Sequence, residues 1–515
     1  MAEHGGPEKV PAEARRRCIR GEADPVRTWD VAEQHSTGEW GWHAAPTEGR
    51  RWLTKERVGL CRRGAAPRVE CLMPEPLTIF GHHDARTIEQ LERCLAAEEG
   101  ARGVLCADGH VGYSQPIGGA VAYREHISPS GVGYDIGCGN KAVRTNLRVE
   151  DVEGGVLLRG ARPSRSVAQI MDEIVSRISF GTGRANDEPV DHQVLDEIRT
   201  AEFEPQRQLY DLAAKQLGTV GAGNHYVDLF ADRDGWLWIG VHFGSRGFGH
   251  KTASGFLALA AGKAFNERAG GGGMDSPPVV FRIGSELGQA YIAAMWLAGE
   301  YACAGRDVVV DAVLEILGAR ATYEVQNHHN FSWLERHDGE AWWVIRKGCT
   351  PAFDGQAGFV GATMGEESVI LEGTEAAERE ALASTVHGAG RAMSRTEAAG
   401  KVKRRKRWEC NHRDCEYFHT DRNQFDCPDH PDAKPIKRHT REQVRPGKVN
   451  FGSVQEQLVA QGVELRGGAA DEAPAAYKRL PEVLEAQGDT IRIRTILRPI
   501  GVAMAGPETY DPFKD

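Results

Sequence analysis

The stretch of residues 286–305, ELGQAYIAAMWLAGEYACAG, consists mainly of residues that favour helices, and it predicts a long helix. Residues 306–317 predict a helix as well. Apolar runs with aromatic and β-branched residues, at 236–241 before this region and at 342–345 after it, predict strands. Because helices and strands are interspersed along the chain, we expect an α+β fold of mixed sheets and helices.

The chain is long enough for more than one folding unit. Its 515 residues are 41% hydrophobic, which predicts two domains or one domain with insertions. Residues 85–97 predict a helix and residues 103–106 predict a strand. Residues 1–72 mix Arg, Glu, Pro and Trp without a sustained period, so we interpret them as an N-terminal extension of unknown role.

Hydropathy, cysteine content and charge narrow the class of protein. No apolar run reaches the about eighteen residues that a membrane span needs, and no signal-peptide pattern is present, so we expect a cytoplasmic protein without a membrane partner. Eleven cysteines, an odd number, indicate reduced thiols. The net charge of −10 means that an RNA substrate would need a local basic groove.

Residues 129–139, PSGVGYDIGCG, contain the first candidate site. Asp135 and Cys138 lie close together among glycines, and a carboxylate with a thiolate can hold divalent metal ions. Alone, the pattern is more typical of a glycine-rich turn with a buried cysteine. Three histidines beside other loop-forming sequences change that interpretation, namely His225, His242 and His329. Together these ligand types predict a two-metal centre that offsets phosphate charge.

The sequence STVHGAGRAMSR, residues 384–395, contains a candidate nucleophile. His387 precedes Gly388 and Gly390, whose backbone N–H groups could meet phosphate where a helix begins. An imidazole nitrogen can attack phosphorus and form a covalent phosphoramidate. The alternative is a histidine at a helix start with no reaction partner.

Familiar nucleotide-binding motifs are missing from the sequence. Residues 244–252 approach a P-loop, but His250 interrupts the Gly-Lys-Thr order. No Lys-x-Asp-Gly sequence occurs, which argues against a conventional lysine-adenylating ligase. If nucleotidyl transfer takes place, His387 is the natural candidate for the nucleophile.

Residues 396–447 differ from the rest of the chain in composition. They are rich in Lys, Arg, Cys and His and poor in apolar residues, and we interpret them as an insertion. Four of them could form a tetrahedral zinc site, although the first gap is not the commonest spacing: Cys410, Cys415, Cys427 and His430. The basic run at 401–407 could grip RNA phosphates, but such runs are more often solvated linkers.

Eight separate motifs, in this order, resemble those of the RtcB family of RNA-splicing and RNA-repair ligases, over roughly residues 73–506. They are Asp108-Gly-His-Val-Gly112, Gly131-Val-Gly-Tyr-Asp-Ile-Gly-Cys-Gly139, Gly223-Asn-His225, His242 with Gly244-Ser-Arg-Gly247, His329-Asn330, Arg346-Lys-Gly348, His387-Gly-Ala-Gly-Arg391 and Asp471-Glu-Ala-Pro474. The resemblance implies mixed sheets and helices around a deep metal and nucleotide cleft. The catalytic domain would comprise residues 73–395 and 448–515, interrupted by the insertion 396–447.

The resemblance also implies two manganese ions and GTP as a co-substrate. Cys138 would bridge the ions, Asp135, His242 and His329 would complete one coordination set, and His225 would belong to the other. His387 would be the guanylylated nucleophile, and Asp108 would contact an RNA end. The implied nucleotide contacts are Asn224, His225, Asp228, His329, Asn330, Gly361, Ala362, Thr363, Met364, Ser368, His387, Gly388, Ala389, Gly390 and Met504.

The implied reaction joins an RNA 2′,3′-cyclic phosphate or 3′-phosphate to a 5′-hydroxyl end, in tRNA splicing or RNA repair, with an archease-like activator as a partner. Two positions depart from the family pattern. The family usually has glutamate at Asp228 and a lysine where Met504 aligns, which puts nucleotide binding in question. Two alternatives stay open. One is a manganese-dependent hydrolase of RNA cyclic phosphates, which is favoured if Met504 and Asp228 prevent GTP binding, and the other is a noncatalytic RNA-binding damage sensor that uses the insertion and its basic run.

Overall fold

The computed structural model describes residues 76–153, 165–269, 273–507 and 509. Helices and strands are both abundant in these residues, and the α+β class is confirmed. The helices are α1 (Ala85–Leu95), α2 (Pro129–Val132), α3 (Glu150–Glu153), α4 (Val167–Arg177), α5 (Gln193–Arg199), α6 (Glu204–Arg207), α7 (Tyr210–Gln216), α8 (Arg246–Ala260), α9 (Glu286–Leu317), α10 (Glu375–Glu380), α11 (Arg395–Ala399), α12 (Phe451–Ala460) and α13 (Leu480–Gln487).

The strands form two large sheets and several small ones. They are β1 (Leu77–Ile79), β2 (Arg102–His110), β3 (Ile117–Tyr123), β4 (His126–Ile127), β5 (Gly139–Arg148), β6 (Tyr226–Asp232), β7 (Trp236–Phe243), β8 (Phe281–Arg282), β9 (Ala321–His328), β10 (Asn330–His337), β11 (Glu340–Lys347), β12 (Cys349–Pro351), β13 (Ala357–Val360), β14 (Ser368–Gly373), β15 (Ser384–Val386), β16 (Gly400–Glu409), β17 (Phe418–His419), β18 (Ile436–Pro446), β19 (Glu464–Arg466) and β20 (Ile491–Met504).

The larger sheet curls until its two edge strands approach each other. Its strand order is β13-β14-β20-β6-β7-β5-β9, with β19 beside β20. The side chain of Asn327 on β9 donates to the carbonyl oxygen of Ala357 on β13 at 3.2 Å. The sheet is therefore nearly closed. The deep cleft that the family resemblance implies stays a prediction.

Helix α9 connects the cores of the two large sheets. Tyr291 and Met295 in its first half pack in the same apolar cluster as Ile345 of β11, which belongs to the five-stranded sheet β1-β2-β3-β11-β10. Val309 and Val313 in its second half pack in the cluster of the larger sheet. One helix thus supports both sheets.

The two helices expected at 286–305 and 306–317 are one continuous helix of 32 residues. Arg306, at the predicted join, is fully buried, and its guanidinium donates to the carbonyl oxygens of Gly137 at 2.9 Å and Phe243 at 2.8 Å. Because these carbonyl oxygens accept hydrogen bonds from the buried guanidinium, the helix can continue through Arg306. The helix and strands expected at 85–97, 103–106, 236–241 and 342–345 are confirmed as α1, β2, β7 and β11.

The two large sheets meet at the junction of β5, β9 and β10. The register pairs Gly139, the first residue of β5, with His328, the last residue of β9. A Cβ atom at Gly139 would lie 2.2 Å from the carbonyl oxygen of Asn327, so only glycine fits. His329 lies between the two sheets, because β10 begins at the next residue.

No helix among the described ranges combines the length and apolar composition that crossing a membrane requires. The N-terminal extension expected at residues 1–72 lies outside the described residues.

Candidate active site

Cys138 is the centre of a compact group of metal-ligating side chains. Its Sγ lies 3.7 Å from Nε2 of His225 and 3.8 Å from Nε2 of His242. The three ligand atoms are all within 4.8 Å of one another, and the three residues are buried. Soft sulfur and borderline imidazole nitrogen are a donor set for first-row divalent cations.

Hydrogen bonds on the far side of each imidazole orient the two histidine rings. Nδ1 of His242 lies 2.5 Å from Oδ1 of Asn140, and Nδ1 of His225 lies 3.0 Å from the carbonyl oxygen of Val220. Nδ1 of His225 also lies 3.0 Å from Nη1 of Arg246. For His242, assigning the ring proton to Nδ1 leaves Nε2 with its lone pair facing Cys138. This arrangement is the one that metal-ligating histidines use.

Asp135 brings a carboxylate to the same group. Its Oδ2 lies 3.3 Å from Nε2 of His225. A Cβ atom at Gly244 would lie within 2.4 Å of the Asp135 carboxylate, so the missing side chain there makes room for this acid. Burial, the largest single influence, opposes ionisation of Asp135, but the hydrogen bond and charge of His225 together with the charge of Arg246 and a hydrogen bond to Cys138 outweigh it, and the pKa falls to about 2. The carboxylate is thus an ionised oxygen donor.

His329 carries a buried nitrogen without a partner. Its ring stacks on His242 with centroids 5.0 Å apart, and its Nδ1 has no hydrogen-bond partner among the described residues. A buried polar atom is normally satisfied, and an orphaned imidazole nitrogen beside other ligands indicates a site that a cation completes. The chemistry of the donor set and this orphaned nitrogen both fit a divalent metal.

Burial also sets the protonation of the ligands. It lowers the pKa of His242 and of His329 well below the usual range, so both rings are neutral and keep a lone pair. It raises the pKa of the Cys138 thiol well above its usual range, and Asp135 raises it further. A thiolate at Cys138 would therefore need a positive charge beside it.

His387 lies beside this group and is held by an acid. Its Nδ1 lies 2.6 Å from Oδ2 of Asp108, and its backbone N–H donates to the same oxygen at 3.0 Å. The Asp108 side chain is fully buried, and its other oxygen has no partner. The centroids of His387 and His329 are 4.8 Å apart, so the candidate nucleophile adjoins the metal-ligating group.

The loop after His387 approaches other chain segments closely. Gly390 has φ +74°, and a Cβ atom there would lie 2.2 Å from the carbonyl oxygen of Asp108, so glycine is required on both counts. Gly388 forms an isolated parallel bridge with Gly361. The helix start that we expected directly after His387 is wrong, because the next helix, α11, begins only at Arg395.

Asn140 connects the candidate nucleophile loop with the metal-ligating group. Its Nδ2 donates to the carbonyl oxygens of Phe359 at 2.9 Å and His387 at 3.2 Å, while its Oδ1 contacts His242. Sequence reasoning missed this residue. Its position directly after the glycine-cysteine-glycine motif was the only signal.

Met504 and Asp228, the two positions that depart from the family pattern, lie close together on the paired strands β20 and β6. Met504 is buried in an apolar cluster with Tyr226 and Met364. Asp228 is buried on β6, its Oδ1 has no partner, and burial raises its pKa well above the usual range. The region that would carry a lysine in the family pattern is thus apolar, with a carboxyl group that burial favours in its neutral form.

The other predicted nucleotide contacts are distributed around these groups. Nδ2 of Asn224 lies 3.3 Å from Nε2 of His242. Oδ1 of Asn330 accepts from the backbone of Gly348, and the hydroxyl of Ser368 accepts from Ala362. The hydroxyl of Thr363 donates to Glu366. The Ala389 side chain packs in an apolar cluster instead, so only its backbone is available to a ligand.

A second cluster lies in the Cys-rich insertion. The ligand atoms of the four residues expected there, Cys410, Cys415, Cys427 and His430, are all within 4.8 Å of one another. Cys410 and Cys427 are buried. The fold therefore brings together four residues that span 21 positions of sequence.

A family model described as tRNA-splicing ligase RtcB matches residues 95–438. The RNA-splicing ligase RtcB of Escherichia coli (strain K12) is 28% identical to this chain over 416 residues, covering 76% of the chain and 87% of that relative. The tRNA-splicing ligase RtcB of Archaeoglobus fulgidus is 28% identical over 482 residues, covering 78% and 87%. That of Thermococcus kodakarensis is 26% identical over 527 residues, covering 86% and 97%.

Proposed function

The chain belongs to the RtcB family, and we propose from that premise that it seals RNA with GTP and manganese through a histidine–GMP intermediate. It is an RNA ligase, as its relatives are named RNA-splicing or tRNA-splicing ligases. The observation that carries the chemical proposal is the 2.6 Å contact between His387 Nδ1 and the Asp108 carboxylate. It gives one histidine of the site the orientation of a nucleophile.

Asp108 makes His387 nucleophilic by keeping the ring proton on Nδ1. A hydrogen on Nδ1 is donated to Asp108, which leaves the Nε2 lone pair free. This nitrogen attacks the α-phosphorus of GTP, so that an N–P bond forms and the bond to the β-phosphate oxygen breaks. Pyrophosphate leaves, and the Asp108 charge stabilises the cationic ring that results.

We assign the metal ions to Asp135, Cys138, His225, His242 and His329. A divalent cation held there would offset the negative charge of the phosphates. The residues of the chain supply both charged and neutral donors, and Asn140 fixes the ring of His242. Cys138→Ala should lower the manganese content of the purified protein, whereas Cys94→Ala, at another buried cysteine, should leave it unchanged.

The later steps use the same nucleophile as a leaving group. An oxygen of the RNA 3′-phosphate attacks the GMP phosphorus, and the N–P bond to His387 breaks. The RNA 5′-hydroxyl then attacks the activated 3′-phosphorus, a phosphodiester forms, and GMP leaves. A 2′,3′-cyclic phosphate end would first be opened by water to the 3′-phosphate.

The experiment that tests this proposal follows the covalent adduct. Purified protein is incubated with manganese and α-labelled GTP, and an acid-labile, base-stable label is mapped by peptide analysis. His387→Ala should abolish the label and keep the metal content, while His82→Ala, at an exposed histidine, should label normally. A labelled His387→Ala protein would overturn the assignment.

The buried Met504 favours one competing function. Because this position lacks a cation and lies in an apolar cluster, GTP binding could be lost while the metal group is kept. The chain would then be a manganese-dependent hydrolase of RNA cyclic phosphates. Opening of a cyclic phosphate without any consumption of GTP would support the hydrolase, and a protein without either activity would support a noncatalytic RNA-binding role.

We propose RNA as the macromolecular partner, in tRNA splicing or RNA repair. An archease-like activator would raise the rate of guanylylation without changing the adduct site. The test compares adduct formation with and without such a protein, and an unchanged rate would remove the activator from the proposal.

A further inference from the structure

The insertion forms an antiparallel ribbon of two long strands with a cysteine-rich tip, and the two-residue strand β17 pairs with the end of β16. Strands β16 and β18 pair from Gly400 opposite Pro446 to Glu409 opposite Ile436. Residues 410–435 connect the strands at the far end and contain all four members of the second metal-ligating cluster. At the other end, backbone bonds from Lys448 and Val449 to α11 close the base of the ribbon.

The ribbon has almost no apolar core of its own. Among the side chains described between positions 401 and 446, only Cys410 and Cys427 are buried. The third strand is only two residues long, and a ribbon of two long strands without an apolar face is marginally stable in water unless something else holds it together. The buried side chains of the ribbon are thus two potential metal ligands and not an apolar core. In small domains a bound metal commonly supplies the stability that such a core would give.

The distances in this cluster fit a tetrahedral metal site. Zinc bonds are about 2.3 Å to sulfur and about 2.0 Å to nitrogen. In a tetrahedral site these lengths separate two sulfur ligands by about 3.8 Å and a sulfur from a nitrogen ligand by about 3.5 Å. The Sγ atoms of Cys415 and Cys427 are 3.6 Å apart, and Nδ1 of His430 lies 3.7 Å from Sγ of both Cys410 and Cys427. All four ligand atoms lie within 4.8 Å of one another.

The shaft of the ribbon is strongly basic. Its two strands carry ten Lys or Arg residues and two Glu, in a chain whose net charge is −10. The tip, residues 410–435, has the opposite balance, with six Asp or Glu and three Lys or Arg. A polyanion would therefore contact the shaft rather than the tip.

One face of the shaft has no carboxylate. The register places Lys406 opposite His439 and Trp408 opposite Lys437, and it continues with Arg404 opposite Arg441. Both glutamates lie on the other face, where Arg405 pairs with Glu442 and Nε of Arg407 donates to Glu409 at 2.6 Å. We call the first set, Lys406, Trp408, Lys437 and His439, the basic face.

Basic residues directly opposite each other destabilise a ribbon unless an anion lies between them. Lys406 and Lys437 are exposed on the basic face. The half-buried indole of Trp408 lies directly opposite Lys437 and two residues after Lys406, and the guanidinium of Arg422 lies over its ring at 5.3 Å. Closely spaced cations with an aromatic ring are typical of surfaces that bind the phosphates and bases of single-stranded nucleic acid. The expected ligand is thus a single-stranded nucleic acid.

The base of the ribbon is connected to the candidate nucleophile loop. Helix α11 begins eight residues after His387 and leads directly into β16. Arg395 at its start pairs with Asp471 at 3.2 Å and also with Glu472, which fixes the base on the catalytic body. RNA bound along the shaft would therefore lead toward the segment that carries His387.

We propose that Cys410, Cys415, Cys427 and His430 bind one structural zinc ion, and that this ion stabilises a basic ribbon on which the RNA substrate docks through its phosphates. The RNA part rests on the proposed ligase function. The metal part does not, because it follows from the cluster and from the absence of a core among the described side chains.

The zinc site is tested by metal analysis of the full chain. The purified protein should contain one equivalent of zinc that Cys415→Ser/Cys427→Ser loses and that Cys138→Ala and Cys94→Ser keep. Zinc added to chelator-treated wild-type protein should restore protease resistance within residues 410–435. Unchanged zinc in the double variant, or no restored resistance, would overturn this site.

The docking surface is tested by RNA binding as a function of salt. The probe is a single-stranded RNA with a 3′-phosphate, and the variant is Lys406→Gln/Lys437→Gln. Its affinity at about 0.15 M salt should fall about tenfold, and the slope of log Kd against log salt should fall by about 1 to 2. Lys215→Gln/Arg320→Gln, a matched pair of exposed cations on the body, should bind like wild type.

The guanylylation assay separates this inference from the proposed function. The ribbon variant should still form the GMP adduct, because neither substituted lysine contacts His387. Equal affinity and equal salt slope in the ribbon variant and wild type would overturn the docking surface and leave the ligase chemistry standing. A wild-type protein that forms no adduct would overturn the ligase chemistry. The salt dependence of RNA binding would still test the docking surface on the ribbon in that case.

Discussion

The carboxylate of Asp108 and the imidazole of His387 are 279 positions apart in the chain and share a hydrogen bond of 2.6 Å. The same carboxylate oxygen accepts the backbone N–H of His387 at 3.0 Å. Two bonds to one oxygen orient both the ring and its peptide. Asp108, which we expected to contact an RNA end, is therefore also placed to position the candidate nucleophile.

Asp108→Asn should slow adduct formation by about 10²- to 10⁴-fold, because an amide can turn its NH₂ toward Nδ1 and leave the ring proton on Nε2. The manganese content should not change, since no metal-ligating atom is removed. The measurement is the single-turnover rate of GMP transfer to the protein. Asp338→Asn, at an exposed acid, is the control, and an equal rate in both variants would contradict the positioning role.

Asn140→Ala should weaken manganese binding by about 10- to 100-fold, because the 2.5 Å bond that fixes the ring of His242 is lost. It should also slow guanylylation at saturating manganese, since the carbonyl oxygen of His387 loses its amide donor. Titration of bound manganese measures the first effect. Asn266→Ala, at an exposed position, is the matched control, and wild-type affinity in Asn140→Ala would exclude the role.

Met504→Lys should lower the KM for GTP, because it places a cation where the family pattern has one and next to the buried carboxyl of Asp228. It should also reduce thermal stability, since the apolar cluster with Tyr226 and Met364 would receive a charged group. Met504→Leu keeps the cluster apolar and is the control. If Met504→Lys and Met504→Leu have the same KM, the nucleotide does not reach this position.

Lys347 should make stability depend on pH in the alkaline range. Burial lowers its pKa from 10.5 to about 8. Between about pH 8 and 10 the unfolded chain holds the extra proton, so the free energy of unfolding rises with pH there. Lys347→Met lacks the titrating amine. The free energy of unfolding of the wild type should therefore rise relative to that of Lys347→Met by about 1.4 kcal/mol per pH unit in this range. Urea unfolding at pH 7 to 10 measures this, and a constant difference would refute it.

Much of the fold and site could be predicted before any contact was known. The α+β class, the strands β7 and β11 and the helix α1 follow from local patterns of apolar residues, which act over a few positions. The candidate ligands were predictable because their residue types carry metal and phosphoryl chemistry and stand beside glycine-rich loops. Their assignment as ligands stays a prediction.

Other features could not be predicted from local patterns. The prediction divided α9 in two at Arg306, and the carbonyl oxygens of Gly137 and Phe243, which accept from its buried guanidinium, became known only with the tertiary structure. Asn140 carried no chemical signal in the sequence. It matters because strand pairing brings β5 beside β7 and places its amide on His242.

The sequence by itself determined which residue types and loops this protein has available: the glycine-rich turns, the histidines, the four members of the second cluster and the basic run. The tertiary structure alone decided the pairings. Asp108 reaches His387 across 279 positions, Met504 packs against Tyr226, and the basic run becomes one face of a ribbon. The physical reason is that hydrogen bonds and strand register depend on atoms that the chain brings together only when it folds, whereas composition and periodicity report only on neighbours in sequence.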